Sequence, residues 1–206
     1  MFGSRLAASA PLVLLLAAPA AGAEEAWTAS GFEQPESIVY DSGRDVFYVS
    51  NIAGEPNAKD GVGYISRLAA DGSVQEAQWV TGFDAPKGIV LAGDMLYVSD
   101  IDRLVAVDLE SGEISGTWPA EGAVFLNDTA IDSAGRVYVS DTMTNRVYVL
   151  DGDSVSVWLE DEALAHPNGL EVQDDKLFVA AWGKDIQDDF TTKEPGPRRR
   201  RRRRRW

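Results

Sequence analysis

The stretch that decides the fold is LNDTAIDSAGRVYVSDTMTNRVYVL, residues 126–150. Within it, the β-branched and aromatic runs at residues 137–139 and 146–150 are typical of strands. Residues 132–135 and the dipeptide at 151–152 supply the polar and glycine-containing chemistry of tight turns. With the short apolar-leaning run at residues 130–132 before them and a further apolar run at residues 155–159, the unit has four short antiparallel strands in under 40 residues, which is the size of one β-propeller blade.

The same unit recurs along the chain. The second-strand pattern FYVSN at residues 47–51 returns as LYVSD at 96–100, VYVSD at 137–141 and LFVAA at 177–181. The turn glycines Gly72, Gly112 and Gly152 follow one another at intervals of 40 residues. This period predicts an all-β propeller of four-stranded antiparallel blades rather than a helical solenoid. A β-sandwich is the alternative, but it does not explain why strand and turn motifs repeat in the same phase.

The repeat accounts for about three and a half blades. After two strands of the fourth blade the sequence continues as a long loop and then as Pro197, eight arginines and Trp206. Like charges would face each other in a strand of arginines, so the tract cannot continue the blade. We therefore expect a partial propeller at residues 24–196. The tail at residues 197–206 is interpreted as a frameshift or truncation scar, with a basic arm for anionic surfaces as the alternative.

Residues 1–23 have the composition of a secretory signal peptide. Arg5 precedes an apolar run, and Ala21 and Ala23 are the small residues that cleavage before Glu24 requires. The run is too short for a comfortable transmembrane helix. We expect a secreted or periplasmic protein without stable membrane insertion, and the chain has no cysteine for a disulfide framework.

Charge excludes one class of partner. The whole chain has a formal charge of −14, but residues 24–197 carry 10 basic and 33 acidic side chains, a net charge of −23. A body this acidic repels nucleic acid and attracts cations. We therefore expect no nucleic-acid partner.

Four polar residues occupy equivalent positions at the start of the first strands, namely Glu36, Lys87, Asn127 and Asn168. They are separated by 51, 40 and 41 residues, close to the blade period. We expect them to surround one end of the central channel. A carboxylate and two amide carbonyls are hard oxygen donors that suit Ca²⁺ or a similar divalent ion. Alternatively, the two asparagines only support turns.

Three motifs resemble the senescence marker protein, gluconolactonase and luciferin-regenerating enzyme family. They are QPES at residues 34–37, NDTAID at 127–132 and HPNGL at 166–170. The resemblance spans most of residues 30–185 and implies a six-bladed propeller with a divalent metal (Ca, Zn or Mn) in its channel. It further implies that Glu36 and Asn168 are metal ligands and that Asn127 contacts the metal or a substrate near it. Many members hydrolyse sugar lactones, so the resemblance implies a metal-dependent lactone hydrolase, and the signal-peptide composition of residues 1–23 adds the expectation that it is exported.

The resemblance also implies a small-molecule substrate, a lactone or a sugar-like compound. The candidates to bind it are Lys87, Asp128 and His166. The chain departs from the family pattern, however. The family's aspartate ligand and proposed base belongs to a later blade, Phe125 stands where sugar-lactone members often have arginine, and Lys87 adds an ammonium group. We therefore expect binding rather than efficient catalysis and assign no catalytic residue.

A second resemblance supports a rival function. Residues 141–147, DTMTNRV, are similar to an NHL repeat, and such repeats build propellers that bind partners without catalysis. The rival hypothesis is therefore a non-catalytic binding scaffold. In either case we interpret Asp100 and Asp141, which end equivalent strands, as hydrogen-bond acceptors that link blades. We expect the equivalent aromatic residues Tyr48, Tyr97, Tyr138 and Phe178 to form the core between blades.

Overall fold

The computed structural model describes residues 27–184. These residues form fourteen β-strands and one short 3-10 helix at Glu162–Leu164. The strands make three four-stranded sheets and one two-stranded sheet, each with antiparallel pairs in chain order. This confirms the predicted all-β fold and its four-stranded blades. The predicted signal peptide at 1–23 and the arginine-rich tail at 197–206 lie outside the described residues.

Each sheet is one blade, and the strands are numbered in chain order. Blade one contains β1 (Pro35–Asp41), β2 (Val46–Asn51), β3 (Gly63–Ala69) and β4 (Val74–Phe83). Blade two contains β5 (Pro86–Ala92), β6 (Met95–Asp100), β7 (Arg103–Asp108) and β8 (Ile114–Pro119). Blade three contains β9 (Leu126–Ile131), β10 (Val137–Asp141), β11 (Arg146–Asp151) and β12 (Ser154–Glu160). Blade four contains β13 (Pro167–Gln173) and β14 (Lys176–Ala181).

The predicted turns between third and fourth strands are present. Gly72, Gly112 and Gly152 have φ angles of 81°, 72° and 62°. Residues with a Cβ rarely adopt such left-handed φ angles, whereas glycine does so at little cost. The glycine repeat therefore marks the same backbone turn in blades one, two and three.

Apolar side chains between neighbouring blades form the core. Tyr48, Phe83 and Leu96 are fully buried in a cluster that joins blades one and two. Tyr138 is buried in the cluster that joins blades three and four, and Tyr97 packs against the cluster between blades two and three. These three tyrosines confirm the core prediction. Phe178 does not follow the core prediction, because it is 53% exposed and no blade formed by residues 27–184 covers it.

The four first strands are neighbours. β5 contacts both β1 and β9, and β9 contacts β13. The approach of β5 to β9 is very close, because a Cβ on Gly88 would lie 2.5 Å from the Asp128 Cα and 2.6 Å from the Asn127 carbonyl oxygen. Glycine at this position therefore lets the first strands meet, and their meeting brings the starts of the four strands together.

Within residues 27–184, the structure has no helix that is long and apolar enough to cross a membrane.

Candidate functional site

The four residues at equivalent blade positions meet at one cavity. Each is the second residue of its first strand, in β1, β5, β9 and β13. The space between them, called here the channel cavity, measures about 230 Å³ and is lined by Glu36, Lys87, Asn127 and Asn168 together with Ile52, Pro56, Phe125 and Trp182. The blade period thus predicted correctly which polar residues lie together. The roles assigned to them remain predictions.

Serine hydroxyls hold the backbone at these positions. Ser50 Oγ donates to the Lys87 carbonyl oxygen at 2.6 Å. Ser140 Oγ donates to the Asn168 carbonyl at 2.6 Å, and Ser99 Oγ donates to the Asn127 carbonyl. Each serine belongs to the second strand of one blade and reaches the channel residue of the next blade. Sequence reasoning missed this function, although the signal was present as the repeated serine in FYVSN, LYVSD and VYVSD.

Two buried aspartates hold the loops that lead into the first strands. Asp100 accepts hydrogen bonds from the backbone nitrogens of Asp84 at 3.1 Å and Ala85 at 2.7 Å. Asp141 accepts from those of Val124 at 2.8 Å and Phe125 at 3.2 Å. The structure therefore confirms the interpretation that Asp100 and Asp141 act as acceptors that join blades.

Lys87 is buried at the wall of the channel cavity, with 1% of the residue exposed. Its Nζ donates to the carbonyl oxygens of Pro56 at 2.9 Å and Ala85 at 3.0 Å. It also lies 4.4 Å from the centre of the Phe125 ring, in cation–π geometry. Burial lowers the pKa of Lys87 to about 8, because desolvation disfavours the ammonium more than the charges of Asp100 and Glu36 favour it.

The pKa of Glu36 moves in the opposite direction. Desolvation by the surrounding protein raises the pKa of this carboxyl, the charge of Asp128 raises it further, and Lys87 opposes the rise. The residue is nevertheless exposed to solvent, so the rise is smaller than for a fully buried carboxyl. The channel cavity therefore contains an acid that retains its proton more readily than usual and an amine that loses its proton more readily than usual.

Asp128 lies beside the channel cavity rather than in its lining. Its Oδ1 accepts from the backbone nitrogen of Thr129 at 2.8 Å, and its Oδ2 accepts from that of Leu170 at 2.7 Å. The carboxylate thus joins blade three to blade four and faces a neighbouring space of about 460 Å³ along the first strands. Burial raises the pKa of Asp128, an effect that the two backbone donors oppose. Its oxygens are used by the fold, and the structure does not bring them to the channel cavity.

His166 lies outside the lining of the channel cavity. Its φ angle is 63°, its backbone nitrogen donates to Asn145 Oδ1 at 2.7 Å, and its Nδ1 lies 3.1 Å from the Thr142 carbonyl oxygen. It lines a separate cavity of about 150 Å³ with Glu162 and Lys184. Of the three predicted substrate-binding residues, the structure therefore places only Lys87 in the lining of the channel cavity.

A divalent metal fits the channel cavity poorly. Glu36 is the one carboxylate among the described residues that line it, and the remaining side-chain oxygen donors are the amides of Asn127 and Asn168. Ca²⁺ takes about 6–8 oxygen ligands. No group of three or more His, Cys, Asp and Glu residues that could hold a metal occurs within residues 27–184. The Lys87 ammonium already places a positive charge in the same lining, and a second cation would be repelled.

Comparisons with known proteins support the fold alone. No family model and no curated protein matches the chain. Among solved structures, virginiamycin B lyase from Staphylococcus aureus is similar over 76% of this chain and 53% of its own, at 14% identity and a TM-score of 0.57. A catalytically inactive variant of that lyase with quinupristin is similar over 79% of this chain and 56% of its own, at 15% identity and a TM-score of 0.59.

A structure of a nidogen–laminin complex is similar over 72% of this chain and 56% of the matched chain, at 20% identity and a TM-score of 0.54. The chain therefore spans little more than half the length of each of these proteins. Such identities establish a likeness of fold, and they carry nothing specific to gluconolactonases. The described chain is a partial β-propeller, similar in fold both to a lyase and to a chain of a binding complex.

Proposed function

We propose that this propeller is a gluconolactonase-like protein whose channel cavity binds a sugar lactone or the sugar acid formed from it. One observation carries the proposal. A carboxyl, an amine and two amides, contributed by four blades, meet at a cavity of about 230 Å³ with apolar walls. A few convergent polar groups on an apolar lining are typical of small-molecule sites.

The lining residues suit an oxygen-rich ligand. The Lys87 ammonium can donate to a carbonyl or carboxylate oxygen, and the amides of Asn127 and Asn168 can donate to or accept from hydroxyls. Phe125 and Trp182 contribute apolar side chains to the same lining. Because the donors fit a divalent metal poorly, we assign no step to such an ion and propose that lactones are hydrolysed at close to the uncatalysed rate.

Calorimetric titration with gluconate and a pH-indicator assay with glucono-1,5-lactone test the proposal. We expect gluconate to bind, the Lys87→Met variant to bind it at least tenfold more weakly, and lactone turnover to stay near background. Lys176→Met is the matched control, because Lys176 is an exposed lysine of β14 outside the channel cavity. Equal binding by Lys87→Met and the unmodified protein would refute the assigned site. Rapid turnover would refute the proposed lack of catalysis.

A non-catalytic NHL-like scaffold is the second candidate. Asp141, the first residue of the NHL-like segment, accepts backbone hydrogen bonds from Met143 and Thr144 within the same segment, at 3.1 and 3.3 Å. These residues therefore serve the blade rather than chemistry, as the scaffold hypothesis requires. If neither gluconate nor the lactone binds, this candidate replaces the first. Under both candidates we propose that the protein is secreted or periplasmic, on the strength of residues 1–23.

A further inference from the structure

Lys87 is a primary amine in surroundings that are unusual for lysine. The residue is 1% exposed, whereas Lys59 and Lys176 are exposed. Within residues 27–184, no carboxylate oxygen lies within 4.0 Å of its nitrogen as an ion-pair partner, although Glu36 and Asp100 attract it from farther away. Its hydrogen-bond partners are two backbone carbonyls. The structure thus buries an amine without neutralising its charge by direct contact.

The geometry leaves the neutral amine able to act as a nucleophile. A neutral amine has two N–H bonds and one lone pair, and the carbonyls of Pro56 and Ala85 can accept both N–H bonds. The lone pair then remains for an electrophile in the channel cavity, which Lys87 lines. The Phe125 ring, 4.4 Å from Nζ, forms an apolar wall at the same place. Apolar walls next to an amine are the arrangement that activates Schiff-base lysines.

We propose that Lys87 captures small aldehydes or ketones by forming an imine with a carbonyl compound bound in the channel cavity. The Nζ lone pair forms a bond to the carbonyl carbon, and the electron pair of the C=O π bond moves to oxygen. A proton passes from nitrogen to that oxygen, giving a carbinolamine. A second proton transfer to the hydroxyl releases water, and the C=N bond forms. One amine and one carbonyl thus give one imine and one water, and no oxidant or reductant is required.

Two further observations support this chemistry. With a pKa of about 8, roughly half of Lys87 is neutral at pH 8, whereas an unperturbed lysine with a pKa near 10.4 is less than about 1% neutral. Glu36 lines the same cavity, and its carboxyl is the acid there that could supply the proton with which water departs. The inference goes beyond lactone binding, because it needs only the cavity and the amine.

Reductive trapping tests the inference in the intact protein. The full chain is incubated with glyceraldehyde and cyanoborohydride at pH 7.5, and labelled lysines are located by peptide mass spectrometry. We expect Lys87 to be labelled at least tenfold faster than Lys176, an exposed lysine of the same molecule. The labelling rate of Lys87 should level off above a pH of about 8. The Lys87→Arg variant should lose the fast label and keep the slow one.

Labelling of Lys87 no faster than that of Lys176 would overturn the inference. The comparison is made within one folded protein, so a variant that fails to fold cannot confuse it. The result is also separate from the proposed lactone site. If gluconate binds by calorimetry but Lys87 stays unlabelled, the imine chemistry is wrong and the ligand site stands. If Lys87 is labelled and gluconate does not bind, the ligand site is wrong and the imine chemistry stands.

Discussion

Asp141→Ala is expected to destabilise the protein strongly. Asp141 is fully buried, and its carboxylate accepts four backbone hydrogen bonds, from Val124 at 2.8 Å, Phe125 at 3.2 Å, Met143 at 3.1 Å and Thr144 at 3.3 Å. Hydrogen bonds to a charged group contribute about 1.5–3 kcal/mol each. Met143 and Thr144 lie in partly exposed positions, where water can replace part of the loss. We therefore expect a loss of about 3–5 kcal/mol in the free energy of unfolding.

Urea unfolding followed by tryptophan fluorescence measures this loss by linear extrapolation. Asp153→Ala is the control, because Asp153 is exposed in the turn between β11 and β12 and its replacement should change stability by no more than about 0.5 kcal/mol. Asp141→Asn keeps one acceptor oxygen, and its loss in the free energy of unfolding should lie between those of Asp141→Ala and Asp153→Ala. A loss below about 1 kcal/mol for Asp141→Ala would refute the argument that this carboxylate holds the loop before β9.

Three further predictions follow from the charges of the channel cavity and from the N-terminal sequence. Calorimetric titration with Ca²⁺, Zn²⁺ or Mn²⁺ should give affinities no better than about millimolar, and the Lys87→Met variant should bind the metal more tightly because a like charge is removed. Micromolar metal binding that is abolished by Glu36→Gln would contradict the expected weak affinity. The folded pKa of Lys87 is about 8, below its unfolded value near 10.4, so the unfolded state binds more protons between these two pH values and the free energy of unfolding should rise with pH. Urea titrations from pH 7 to 10 should show that the Lys87→Met variant loses this rise. An unchanged dependence of the free energy of unfolding on pH would show that Lys87 is not desolvated. N-terminal sequencing of exported protein should begin at Glu24, and protein that stays in the cytosol with residues 1–23 attached would refute export.

The sequence alone predicted the blades and the residues that meet in the channel. Strand and turn chemistry acts over short range, so the runs around Tyr138 and the glycine at Gly152 predicted β10 and the turn after β11 without tertiary information. Repetition then supplied the long-range information. Equivalent positions in successive blades face one axis, and the spacing of Glu36, Lys87, Asn127 and Asn168 was therefore sufficient to predict that they line one cavity.

The tertiary structure decided what each side chain does. Asp128 follows Asn127 on the same strand, and adjacent strand residues point to opposite faces, so its carboxylate bonds to Leu170 instead of facing the channel cavity. His166 lies outside the channel cavity because of its left-handed backbone and its contacts with blade three, which no local sequence pattern encodes. The low pKa of Lys87 depends on burial beside Phe125 and beside Pro56, which belongs to the loop between β2 and β3 and is distant in sequence. Desolvation and partner geometry arise only when the blades pack, and for that reason the periodicity of the sequence located the channel cavity but not the environment of each side chain that lines it.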